Sequence, residues 1–185
     1  MIRLRDRIVD FLYRTATGAA RTRRLLTPVF GGIFFCLVLA TIFGAFFLDR
    51  LLGLPKFPTG IYAVVASCPF LAVGGWVWAW SGWRFFRTKG TPVPVNPPPV
   101  LVTDGPYACS RNPMMTGLIL VMAGLGILLG SVSLAVVMTP LFALVCVLEF
   151  KYIEEPELEK RFGAAYKAYR AKTPRILPVF RPRLR

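Results

Sequence analysis

Histidine is absent from this 185-residue chain, and acidic residues are scarce: nine, against 23 lysines and arginines, for a formal net charge of +14. Without histidine the commonest general base near neutral pH is missing, and Ser-His and Cys-His nucleophile pairs are excluded. The four cysteines, Cys36, Cys68, Cys109 and Cys146, form no CxxC pair, and three sit inside apolar runs. With no histidine beside them they make no zinc site and read as small apolar filler; no metal is expected. Polar surface is also in short supply. Hydrophobic residues make up 55% of the chain, too many for an ordinary soluble domain and in keeping with a membrane protein. The excess positive charge flanks apolar runs, which suits a membrane face with anionic lipids and argues against a nucleic-acid partner.

A spanning helix needs about 20 apolar residues. Segments 28–48, 60–80 (extending towards 86), 114–129 and 132–150 meet that need. The last two are separated only by Gly130 and Ser131, so they are expected to form an antiparallel hairpin. Gly117, Ala123, Gly124 and Gly126 let backbones approach closely in lipid. Pro69 and Pro140 are expected to kink their helices. Seven basic residues precede the first span, four lie between the second and third, and ten follow the fourth. Only Arg50 and Lys56 lie between the first and second. The positive-inside rule then places both termini in the cytoplasm, as four spans require. The basic start is too long for a signal peptide and no small-residue cleavage site follows it, so the first span is read as retained. The resulting expectation is an all-α integral membrane protein of about four transmembrane helices, in a bacterial inner membrane or its equivalent. Residues 1–27 form a basic interfacial segment, 28–86 two spans, and 87–185 the functional core.

Outside the spans, Leu4, Ile8, Phe11 and Leu12 follow helical spacing between arginines, as in a helix lying on the membrane surface. Prolines 92, 94, 97, 98 and 99 forbid helix and predict an extended lead into a Gly105-Pro106 turn. Pro113 suits a first helical position. Pro156 reads as a helix start, and Leu158, Phe162, Tyr166 and Tyr169 as the apolar face of a basic amphipathic helix packed back on the membrane. Trp76, Trp78, Trp80 and Trp83 read as an interfacial belt.

The hairpin brings the Gly105–Pro113 turn beside Glu149, Glu154 and Glu155 at one membrane face. Backbone N–H groups at a helix start attract a carboxylate, and acidic side chains attract an amine. Both together suit a zwitterionic amino acid, although ordinary caps and salt bridges use the same residues.

The stretch LVTDGPYACSRNPMMTG, an apolar hairpin, and then IEEPELEKRFGAAYKAYRAKTPRILP resembles the isoprenylcysteine carboxyl methyltransferase family. Its wider superfamily includes phospholipid N-methyltransferases. The match spans about residues 88–180. The resemblance implies S-adenosylmethionine as cofactor, held by Pro99, Val100, Leu101, Val102, Tyr107, Asn112, Pro113, Met114 and Met115, with Glu154 taking the amino group. Arg111 suits either the cofactor carboxylate or headgroup phosphates. Asn112 and Met115 stand where the family has histidine and tyrosine, and Lys151 lies where carboxyl methyltransferases carry an arginine. A carboxylate or thiolate acceptor needs no base; an amine must lose a proton, for which Glu149 or Glu155 is available. The implied acceptor is lipophilic or lipidated, most like an isoprenylated cysteine carboxylate, with a phospholipid amine or a thiol as the alternatives and membrane lipids as surroundings. The readings from other classes are a small transporter, disfavoured by the lack of mid-membrane polar residues, and a non-catalytic membrane scaffold.

Overall fold

The computed structural model describes residues 4–176. Among them every regular element is helical. Helix α1 (Leu4–Thr17) leads into α2 (Ala20–Leu52) and α3 (Ile61–Arg87). A 3-10 turn (Gly105–Ala108) precedes α4 (Pro113–Leu128). Helix α5 (Ser133–Phe162) follows, and α6 (Ala164–Lys172) ends the helical part. Helices α2, α3 and α5 are long and apolar enough to cross a membrane. Helix α4 is apolar throughout but 16 residues long, or about 24 Å. Arg3 and the last motif residues, Leu177 and Pro178, lie outside the described part.

Two expectations from the prolines change. The helix predicted to begin at Pro156 is instead the continuation of α5, which is π-wound over Ser133–Met138 and Phe150–Glu154. Each π turn ends two residues before a proline, Pro140 or Pro156. A proline inside a helix lacks its N–H and clashes with the carbonyl four residues back; loosening the winding to i→i+5 relieves both. The proline-rich lead is not extended throughout either. Val93 to Asn96 closes a turn, with Asn96 N–H on the Val93 carbonyl and Thr91 N–H on the Asn96 carbonyl, and Val95 is fully buried. Pro94 stands at the turn position that favours proline.

The chain divides into two compact units. The first comprises residues 1–33, 80–113 and 147–185. In it α1 buries Val9, Leu12, Thr15 and Ala16 and packs on the end of α5, where Lys160 meets Asp10 at 2.6 Å. The apolar row read from the sequence is therefore split: Leu12 is buried, while Leu4, Ile8 and Phe11 stay exposed. Gly18 ends α1; a Cβ there would come 2.6 Å from the Arg14 carbonyl oxygen.

The second unit comprises residues 34–79 and 114–146. Its centre is Ala45, Met122 and Leu134, surrounded by Ile42, Leu118, Leu125, Met138 and Phe142. Helices α4 and α5 form the expected hairpin through Gly126 and Ala135. Glycines set the spacing: a Cβ on Gly74 would lie 2.7 Å from the Gly117 carbonyl oxygen, and one on Gly117 equally close to that of Gly74. Asp49, near the end of α2, accepts from the Ser131 hydroxyl at 2.5 Å and from the Ser133 N–H at 2.8 Å. It thereby caps the start of α5 across 82 residues of sequence. Asp49→Ala is expected to cost about 1–2 kcal/mol, the worth of a helix cap, read as a lowered unfolding midpoint in detergent with unchanged far-UV helicity.

Candidate active site

The second π turn decides which residues the end of α5 presents. Glu155 N–H reaches back five residues to the Phe150 carbonyl, which turns Glu154, Leu158, Arg161 and Phe162 onto one stripe. That stripe lines a cavity in the first unit. Gly163 then breaks the helix at φ +54°, a conformation that favours glycine. After the break α6 turns Tyr166 and Tyr169 into the same cavity. The apolar face that the sequence assigned to the membrane thus walls a site, because the break at Gly163 interrupts what reads as one continuous helix.

The opposite wall comes from Pro97, Pro98, Val100, Leu101, Val102 and Phe85. A Cβ on Gly90 would run into the backbone of Pro98, so glycine there lets the loop fold back on the end of α3. Arg161 donates to the Pro98 carbonyl at 3.2 Å and ties the loop to α5. The 3-10 turn supplies Tyr107, whose ring stacks on Phe85 at 5.0 Å with only 9° between planes. The Tyr169 hydroxyl donates to the Tyr107 carbonyl at 2.6 Å and fixes the turn. Asp104, just before it, is ion-paired with Arg84. Burial raises the pKa of the Tyr107 and Tyr169 hydroxyls and pushes that of Tyr166 up to about 12, helped by the nearby Glu155 carboxylate. All three remain neutral hydrogen-bonding groups at physiological pH.

Charge in this unit is arranged in tied pairs. Arg111 and Glu155 meet at 2.6 Å with side chains only 7% and 6% exposed. Arg175 binds both oxygens of Glu155, at 3.0 and 3.2 Å, and that hydrogen bonding raises its own pKa. Arg161 pairs with Glu157 at 3.2 Å. The C-terminal segment straps the turn in place: Arg111 N–H donates to the Pro174 carbonyl, and Asn112 N–H and the Ser110 hydroxyl to that of Arg175. Of the three consecutive-turn carboxylates Glu154, Glu155 and Glu157, Glu154 is the one that lines the cavity, beside Arg111 and Arg161. The result is an apolar-aromatic chamber holding one carboxylate and two guanidiniums.

Residues 48–165, more than half of the chain, match the phospholipid methyltransferase family. The chain belongs to that family. It is a membrane methyltransferase, in accord with the superfamily to which its motifs point. Among curated proteins and solved structures, none matches it.

In this methyltransferase the residues singled out from sequence distribute unevenly. Val100, Leu101, Val102, Tyr107, Arg111 and Glu154 line the cavity together. Pro99 is exposed beside it. Asn112 and Pro113 open α4, and Met114 and Met115, which follow them, belong to the second unit. Glu155 is held by Arg111 and Arg175, and Glu149 lies exposed on α5 just before the π turn. Arg161, Phe85 and the two tyrosines of α6 complete the chamber. The tyrosines stand at visible helical spacing; nothing local marks Arg161, whose place depends on the π turn.

Proposed function

We propose that the enzyme transfers the methyl group of S-adenosylmethionine to a lipophilic acceptor held at the membrane, with a phospholipid amine as the leading acceptor. The observation that carries this is the cavity joining Glu154, Arg111 and Arg161 to an apolar-aromatic wall. These residues fit the cofactor: Glu154 suits its ammonium, a guanidinium its carboxylate, and Val100, Leu101, Val102 and Tyr107 its adenosine part. When bound, the cofactor supplies a methyl group on sulfur whose positive charge already activates departure. The chain's own work is therefore to align acceptor and donor and to exclude water. The family supports the amine; such an acceptor must shed a proton, and Glu149, five residues before Glu154 on α5, is the carboxylate proposed to take it. The motif resemblance supports a second reading, methylation of an isoprenylated cysteine carboxylate, in which no base is needed. Charge asymmetry supports a cytoplasmic site with both termini on that side.

The test is calorimetric titration of S-adenosylhomocysteine into detergent-purified enzyme, wild type beside Glu154→Gln. Saturable binding by the wild type is expected, weakened about tenfold or more in the variant by loss of a charge-assisted hydrogen bond. A folded, monodisperse wild type that does not bind overturns the proposal. Methyl transfer to phosphatidylethanolamine or to a farnesylated cysteine then decides the acceptor.

A further inference from the structure

We infer that the junction of α1 and α2 is a binding site for the phosphate headgroup of an anionic phospholipid, separate from the active-site cavity. A groove of about 460 Å³ opens there, lined by Arg7, Asp10, Phe11, Arg14 and residues at the start of α2 that include Thr22. Arg7, Asp10 and Arg14 stand at i, i+3 and i+7 on α1 and so face one way. The carboxylate among them is already engaged: Asp10 takes Lys160 Nζ at 2.6 Å, and that hydrogen bond, reinforced by the Lys160 charge, lowers its pKa. The groove therefore presents two guanidiniums against one carboxylate committed elsewhere. Guanidinium forks match phosphate oxygens two at a time.

The surroundings say which phosphate. Phe11 lines the groove, stays exposed, and stacks on Phe30 of α2 at 6.3 Å. Helix α2 is one of the membrane-crossing helices, so the groove sits at the mouth of a span, where a headgroup and its acyl chains are both within reach. Leu4 and Ile8, exposed on the same helix, extend the apolar contact. A phosphate joined to acyl chains satisfies both halves of this surface; a free phosphate satisfies only the arginines.

The experiment titrates short-chain phosphatidylglycerol into the full chain in a neutral detergent and reads affinity from intrinsic fluorescence and from the unfolding midpoint. Parallel titrations use short-chain phosphatidylcholine and glycerol phosphate. Wild type is expected to bind phosphatidylglycerol saturably and to be stabilised by it. Affinity is expected to fall about tenfold or more in R7Q/R14Q, the scale of a lost charge-assisted contact, and to be nearly unchanged in R21Q/R24Q, which removes equal charge from exposed positions outside the groove. Equal losses in the two variants would reduce the effect to diffuse attraction and overturn the site. Equal response to phosphatidylcholine overturns the anion preference, and equal affinity for glycerol phosphate overturns the lipid assignment. Should R7Q/R14Q aggregate, R14Q alone carries the same comparison.

Discussion

Replacing Glu155 with alanine is expected to destabilise the folded enzyme by about 3–5 kcal/mol, the cost of stranding a buried charge. Arg111 is 7% exposed and has Glu155 at 2.6 Å as its carboxylate partner; without it the guanidinium remains desolvated and unpaired. Arg175, 31% exposed at its side chain, can turn to water and adds less. The same carboxylate organises the C-terminal strap, since Arg175 carries the carbonyl that accepts from Asn112 N–H and the Ser110 hydroxyl. The measurement is equilibrium unfolding in mixed micelles. If Glu155 instead served mainly as a proton acceptor, Glu155→Ala would slow turnover and leave the unfolding midpoint within about 0.5 kcal/mol of wild type. Glu155→Gln separates the two further: the amide keeps the shape and one acceptor but removes the charge, so an intermediate loss of stability is expected.

The second large effect lies in the other unit. Gly117→Leu is expected to leave no folded protein extractable in mild detergent, and Gly117→Ala to cost about 3 kcal/mol, the upper end of ordinary overpacking. A Cβ at Gly117 would sit 2.7 Å from both the Gly74 carbonyl oxygen and the Trp78 amide nitrogen. These are backbone atoms of a packed helix and have no rotamer by which to retreat. Gly75 is the control. A Cβ there meets nothing within 4 Å, so Gly75→Ala is expected to stay within about 0.5 kcal/mol of wild type and to gain slightly in helix propensity. Size-exclusion profiles and unfolding midpoints of the three variants check this. If Gly117→Ala and Gly75→Ala behave alike, the close approach of α3 and α4 is wrong.

The π turns show where local reading stops. Pro140 and Pro156 are both visible in the sequence, and each announces a disturbance of the helix. Pattern alone offers three outcomes for such a proline: a kink, a new start or a looser turn. At Pro156 the sequence favoured a start, because acidic residues surround it. The structure keeps α5 continuous and absorbs the proline in a π turn, since the helix is held on both sides of it by packing within the first unit. One extra residue in that turn rotates everything after it, which brings Leu158 and Arg161 to the cavity and sends Glu155 to Arg111.

The amino-acid sequence by itself determined the membrane class, the hairpin, the start of α4 at Pro113 and the motif region of the site. These follow from periodicity, length, charge asymmetry and turn chemistry, each of which acts over a few residues. Tertiary structure alone decided the partners of the charges: Glu155 with Arg111 and Arg175, Arg161 with Glu157 and the Pro98 carbonyl, Asp10 with Lys160, Asp49 with Ser131. Most of these pairs join residues far apart in the chain, and composition offers 23 cations for nine carboxylates. A charge near the surface has many acceptable partners of similar worth. Burial, which raises the cost of a wrong pairing, selects among them only once the helices have packed.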